Sequence, residues 1–134
     1  MQQVEISIET PKRGFFLITD KILEVIDISK IEIGMMNIFL KHTSASLTIN
    51  ENIDPDVRKD FEDFTSKLIP DSYEYIHSYE GCDDMPAHIK TSFFGVSLNI
   101  PITNGKLNLG SWQGIYLNEH KNIPTHRYIV ITVF

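Results

Sequence analysis

Apolar and polar residues alternate along several short segments of this 134-residue chain, most clearly over 4–8, 36–40 and 96–102. A period of two predicts β-strands with one face toward a core and the other toward solvent. Short turns separate these segments, and Asn104-Gly105 is a strong hairpin signal because both positions of the tight turn need a positive φ. Most of the strands are therefore expected to pair antiparallel.

Two or three helices should accompany these strands. The strongest helical pattern covers 54–68, where Asp54 can cap the helix and Pro55 suits its first position. Four apolar residues share one face of it, namely Val57, Phe61, Phe64 and Leu68. Weaker patterns predict helices over 20–28 and 86–94. The expectation is one α+β domain over residues 1–134, with mostly antiparallel sheets packed as a sandwich.

Charge and composition narrow the class of partner. Twelve basic residues oppose eighteen acidic ones, giving a formal net charge of −6. This balance argues against nucleic acid and anionic membranes as partners, since both need clustered positive charge. No apolar run approaches the roughly 20 residues that span a bilayer, and the N-terminus lacks the features of a signal peptide. The single cysteine, Cys82, excludes an intrachain disulfide, so a cytoplasmic protein is predicted.

The segment His42-Thr43-Ser44-Ala45-Ser46 follows a predicted strand. An imidazole at that position could exchange protons near neutral pH or bind a metal ion. The hydroxyls of Thr43 and Ser44, with nearby backbone amides, could hold a phosphate. A hydrogen-bonded turn around a structural histidine is equally consistent with the pattern.

The segment 80–88 concentrates metal-binding side chains. Asp83 and Asp84 suit a hard divalent cation such as Mg²⁺, whereas His88 or Cys82 could take a softer ion such as Zn²⁺. The spacing matches no standard zinc signature. The alternative is a solvated acidic loop that caps the following helix.

Two further segments could contribute to a site. Glu51 lies on the short link between a strand and the 54–68 helix, where its carboxylate could bind Mg²⁺ or act as a base. Trp112, beside Gln113 and between two glycines, could stack on a flat heterocycle or could lie in the core. Lys90 and Arg127 could bind phosphate or could form surface ion pairs.

Together these segments resemble the YjbQ family, whose members are known as secondary thiamine-phosphate synthases. The resemblance runs in order along nearly the whole chain, through 42–52, 54–57, 80–81, 83–84, 87–90, Ser97, Gly105, 110–116 and 119–120. Ser111 stands where the family usually has Thr, and the region of Lys121 is usually richer in Arg. The resemblance implies an α+β fold, a homotrimer and a site near the subunit boundaries.

The family name implies a reaction that joins a hydroxymethylpyrimidine pyrophosphate to a thiazole phosphate and releases pyrophosphate. On this hypothesis a divalent metal ion, Mg²⁺ or Zn²⁺, is bound by His42, Asp83, Asp84 and His88. Catalysis is assigned to His42, His88 and Glu51. Substrate binding is assigned to Thr43, Ser44, Lys90, Trp112, Gln113 and Arg127. Two alternatives stay open: a metal-dependent hydrolase of a small phosphorylated compound, and a non-catalytic trimeric module that binds an anionic metabolite.

Overall fold

The computed structural model describes all 134 residues, arranged in eight strands and three helices. In chain order they are β1 (Gln2–Thr10), β2 (Gly14–Leu17), α1 (Thr19–Val25), β3 (Ile33–Leu40), β4 (Ala45–Glu51), α2 (Pro55–Leu68), α3 (Asp84–Phe94), β5 (Ser97–Thr103), β6 (Lys106–Leu107), β7 (Gln113–Glu119) and β8 (Thr125–Val133). The longest helix, α2, has 14 residues, and no helix is both long and apolar enough to cross a bilayer.

The strands form two sheets. The larger has the order β1-β8-β3-β5-β6 and the smaller has the order β2-β7-β4. Each pairing is antiparallel. The predicted α+β class with antiparallel sheets is therefore confirmed.

One hydrophobic core lies between the sheets, and the alternation along the strands builds it. Met36 and Ile38 of β3 and Ile115 and Leu117 of β7 are all fully buried members of one cluster. Each such side chain contributes roughly 1.5–3 kcal/mol of hydrophobic stabilisation. The core fixes the register of β4 and β7, whose ends carry the polar residues described below.

The helices differ from their predicted bounds in ways the backbone explains. Helix α1 ends at Val25 because Ile26 takes an extended conformation, with φ −140° and ψ 129°. Helix α3 begins at Asp84, two residues before the predicted start, and ends at Phe94 as predicted, where Gly95 takes a φ of 94°.

The apolar face of α2 is only partly covered. Phe61 packs on Phe15 of β2 at a ring-centroid distance of 5.5 Å, but Phe64 and Leu68 are 68% and 67% exposed. Strand β2 has four residues, which span about 13 Å, whereas the fourteen residues of α2 span about 21 Å. The C-terminal part of the helix therefore extends beyond its partner strand.

The Asn104-Gly105 turn joins β5 to β6 as predicted, with φ of 50° and 76°. We expect Gly105→Ala to lower the free energy of unfolding by about 2–3 kcal/mol, because alanine disfavours this φ. In addition, its Cβ would lie 2.5 Å from the carbonyl oxygen of Ser29. Urea denaturation measures the loss. Gly110→Ala is the control, since its Cβ would meet only the flexible Gln113 side chain, at 3.3 Å. Equal losses in both variants would contradict the prediction.

Candidate functional site

Helix α3 presents Asp84 and His88 on one face, four residues apart. The Nδ1 of His88 lies 2.7 Å from the carbonyl oxygen of Thr43, and its Nε2 lies 3.1 Å from Oδ2 of Asp84. A carbonyl oxygen can only accept, so Nδ1 donates its proton to Thr43. The carboxylate oxygen beside Nε2 also only accepts, so Nε2 either donates to Asp84 or, when a cation binds between the two, offers its lone pair to that cation. This is the arrangement that metal-binding histidines adopt.

A third side chain joins them from the loop before α3. The Nε2 of His77 lies 2.7 Å from the same Oδ2 of Asp84. One ligand atom from each of His77, Asp84 and His88 lies within 4.8 Å of the others, and we call these three residues the His–Asp cluster. Two imidazole nitrogens and one carboxylate oxygen suit Zn²⁺ and other transition metal ions. Three protein ligands also leave a coordination position open, as in catalytic zinc sites.

The sequence prediction missed His77. It concentrated on the 80–88 segment, whereas His77 lies outside it in the preceding loop. The i, i+4 spacing of Asp84 and His88 predicts a shared helix face, but no sequence signal adds His77, because the path of its loop is not visible in the spacing.

Asp83 and Asp84 are both tied to Lys121. The Nζ of Lys121 lies 2.9 Å from Oδ1 of Asp84 and 3.2 Å from Oδ1 of Asp83, and the amide of Asn122 donates to Oδ2 of Asp83. Burial acts to raise the pKa of each carboxyl, but these hydrogen bonds outweigh burial and lower the pKa of both. Both carboxylates are therefore ionised at neutral pH. The structure places Asp83 outside the His–Asp cluster, unlike the predicted metal set.

A cavity of about 640 Å³ opens beside this cluster. We call it the histidine cavity; it is lined by one hydrophobic residue, Val96, and by His42, Thr43, His88, Thr91, Ser92 and Gly95. His42 and His88, far apart in the sequence, thus line the same cavity. His88 is the one residue of the His–Asp cluster that also lines this cavity.

His42 is held as a neutral ring on the cavity wall. The amide of Tyr128 donates to its Nε2 at 2.8 Å, and Nη1 of Arg127 lies 3.3 Å from its Nδ1. Burial lowers the pKa of His42, and the Arg127 guanidinium lowers it further. Since Nε2 already accepts from Tyr128, the structure places His42 outside the His–Asp cluster, again unlike the predicted metal set.

Arg127 and Lys90, the two residues predicted to bind phosphate, are both buried in the structure, and Arg127 is also ion-paired. Arg127 is buried and donates to both carboxylate oxygens of Glu119, and also to the carbonyl oxygen of Ser44 at 3.0 Å. Lys90 is fully buried with no hydrogen-bond partner for Nζ, and burial lowers its pKa. Neither residue lines the histidine cavity, so their phosphate-binding role has no geometric support in the isolated chain.

A protein-family model described as UPF0047 protein YjbQ-like matches residues 4–134. The chain belongs to the YjbQ family. The chain is 46% identical over 132 residues to the UPF0047 protein YjbQ of Escherichia coli O157:H7, covering 98% of this chain and 96% of that protein. The corresponding protein of Salmonella typhimurium is 48% identical, with the same coverage.

A solved structure agrees with the family assignment. A YjbQ/UPF0047 family protein from Clostridium acetobutylicum, solved by crystallography, superposes with a TM-score of 0.89 at 40% sequence identity. The match covers 98% of this chain and 99% of that one. The resemblance inferred from the sequence motifs is therefore confirmed.

The YjbQ-family motif around Trp112 lies beside the β4–β7 pair, at the end opposite to Ala45 and Glu119. Ala45 pairs with Glu119 at one end of β4 and Glu51 pairs with Gln113 at the other, about 20 Å away. The Glu51 carboxylate accepts from the amides of Ile53 and Asp54, and the Gln113 side chain accepts from Gly110. Trp112 is 64% exposed and therefore lies outside the core, and it does not line the histidine cavity. The structure thus separates Glu51, Trp112 and Gln113 from His42 and His88 within one chain.

Proposed function

We propose that this YjbQ-family chain is an enzyme that acts on a small phosphorylated metabolite with a divalent transition metal ion. In this proposal His77, Asp84 and His88 hold the ion, and the substrate occupies the histidine cavity. The observation that carries the proposal is the orientation of His88. Its Nδ1 is fixed by the Thr43 carbonyl oxygen, which leaves Nε2, 3.1 Å from Oδ2 of Asp84, as the ring nitrogen that can bind an ion.

The chemistry follows from what each group can offer. A bound ion of this class stabilises charge on phosphate oxygens and lowers the pKa of a coordinated water. The hydroxyls of Thr43, Thr91 and Ser92 can orient a polar substrate by hydrogen bonds. Protonated His42 would face the Arg127 guanidinium, so we assign His42 to substrate orientation rather than to proton transfer.

Hydrolysis of a single phosphate ester makes the smallest demand on this site. The thiamine-phosphate synthase reaction implied by the family resemblance is the second candidate. It must balance the charge of two phosphorylated substrates, and Lys90 and Arg127 are not free to do so. It would also require Trp112 and Gln113 of another copy to approach the cavity, since those of the same chain lie at the far end of β4 and β7.

The proposal includes assembly of several copies, most simply the homotrimer that the resemblance implies, in a reducing cytoplasm. Ile76 and Tyr79, on either side of His77, are 100% and 97% exposed. Large exposed apolar side chains mark interaction surfaces. The exposed free thiol of Cys82 fits a reducing compartment. Light scattering after size-exclusion chromatography would determine the number of copies.

The test begins with the metal-free chain reloaded separately with Zn²⁺, Co²⁺, Mn²⁺ or Mg²⁺. Each form is assayed for phosphate release from a panel of small phosphate esters. Thiamine phosphate formation from the pyrimidine pyrophosphate and the thiazole phosphate is measured in parallel. We expect release of phosphate that depends on a transition ion and stops with a chelator, because the donor set favours such ions.

Two outcomes would overturn parts of this proposal. Thermal stabilisation by a phosphorylated ligand, with no turnover by any metal form, would identify a binding module instead of an enzyme. Synthase turnover without phosphate release from simple esters would replace the hydrolase by the second candidate.

A further inference from the structure

The ammonium of Lys121 occupies the position that the sequence predicts for a hard divalent cation. Its Nζ lies 2.9 Å from Oδ1 of Asp84, 3.2 Å from Oδ1 of Asp83 and 3.4 Å from the carbonyl oxygen of Glu80. All three neighbours are oxygens, the ligand type that Mg²⁺ and Ca²⁺ prefer. The Lys121 side chain is only 14% exposed.

We propose that Lys121 determines the metal specificity of the site. Its ammonium fills the oxygen-lined position and excludes hard divalent cations, and it leaves Asp84 a single oxygen for a transition metal ion at the His–Asp cluster. This inference rests on the proposed function in so far as it concerns that cluster.

The two oxygens of Asp84 have separate partners. Oδ1 accepts from Lys121, whereas Oδ2 faces the imidazoles of His77 and His88. With Oδ1 engaged, Asp84 can bind an ion only through Oδ2, so the cluster offers two nitrogens and one oxygen. Ca²⁺ takes six to eight oxygen ligands and Mg²⁺ binds through oxygen, whereas Zn²⁺ and its neighbours accept imidazole.

Charge balance acts in the same direction. Asp83 and Asp84 together carry −2, and the Lys121 ammonium reduces this to −1. Removing the ammonium would restore −2 and free both Oδ1 atoms. The Asn122 amide would still hold Asp83 through its Oδ2, so the oxygen-lined position should persist without Lys121.

A purely structural ion pair would behave differently from a residue that sets specificity. Loss of a structural pair would lower stability and leave the order of metal affinities unchanged. A specificity-determining lysine would change that order. The affinity for Ca²⁺ and Mg²⁺ relative to that for Zn²⁺ is therefore the readout that separates the two roles.

The experiment compares wild type with Lys121→Met, Lys121→Gln and Lys121→Arg by isothermal titration calorimetry with Ca²⁺, Mg²⁺ and Zn²⁺. We expect both uncharged variants to bind Ca²⁺ and Mg²⁺ at least about tenfold more tightly than wild type, because a neighbouring positive charge is removed. Lys121→Arg should stay weak for both ions. Lys41→Met is the matched control, since Lys41 pairs with Glu5 on the exposed surface.

Circular dichroism confirms the fold of each variant, and Lys121→Gln serves if Lys121→Met does not fold. Unchanged Ca²⁺ and Mg²⁺ affinity in the folded uncharged variants would overturn the inference, whatever Zn²⁺ does. Absence of Zn²⁺ binding to wild type would instead remove the proposed function. A gain of Ca²⁺ binding would still support the role of Lys121 in that case.

Discussion

Replacing His88 by alanine should lower the affinity of the chain for Zn²⁺ by about 100-fold or more, because loss of a residue that merely supports a metal ligand already costs 10–100-fold. The hydrogen bond from its Nδ1 to the Thr43 carbonyl oxygen leaves the Nε2 of His88 to bind the ion. Competition with a chromophoric chelator measures the affinity. His126→Ala is the matched control, since His126 is an exposed histidine on β8 outside the cluster.

His77 and His42 extend the same test. We expect His77→Ala to weaken Zn²⁺ binding as His88→Ala does, whereas His42→Ala should leave the affinity within about twofold of wild type. Wild-type affinity in both His77→Ala and His88→Ala would exclude the His–Asp cluster as the metal site. A large loss in His42→Ala alone would instead restore the metal set predicted from the sequence.

The fold could be predicted from the sequence because its signals are local. Alternation along β1, β3 and β5 gives strands with one buried face, and Asn104-Gly105 gives a hairpin. The neighbours in the sheet could not be predicted in this way. Strand β8 lies between β1 and β3, and each of these pairings joins residues far apart in the chain. Periodicity carries no information about such partners.

The candidate site was predicted in part, for the same physical reason. Asp84 and His88 share a helix face, which spacing can show, but His77 reaches them through the path of a loop, which spacing cannot show. Burial also gives two lysines surroundings that the sequence did not predict. Lys90 lies on a helix face that packs inward, and Lys121 is drawn between two carboxylates. Both depend on tertiary contacts that one sequence does not display.

The second large effect that we expect is on the pH dependence of stability, and it comes from His120, which follows β7. It is buried, stacked on Phe94 at a centroid distance of 5.8 Å, with Nε2 2.9 Å from the Ser46 hydroxyl. Asn118 donates to that hydroxyl oxygen, so Ser46 can donate its own proton to His120. Burial, followed by the nearby charges of Lys90 and Arg127, lowers the pKa of His120 to about 3 from 6.5. The folded chain therefore holds this ring neutral far below the pH at which the unfolded chain protonates it.

Stability should fall with decreasing pH, because below pH 6.5 the unfolded chain binds a proton that folded His120 does not. Each pKa unit is worth about 1.4 kcal/mol, so this residue alone should remove about 2 kcal/mol by pH 5 and about 4 kcal/mol by pH 3. Urea denaturation between pH 7.5 and 4.5 measures the slope. His120→Gln keeps an acceptor for Ser46 but does not titrate, and it should flatten this part of the profile even if it is less stable throughout. Equal slopes for His120→Gln and wild type would show that the ring is already accessible to protons in the folded chain, which its burial between Phe15, Phe94 and Ser46 argues against.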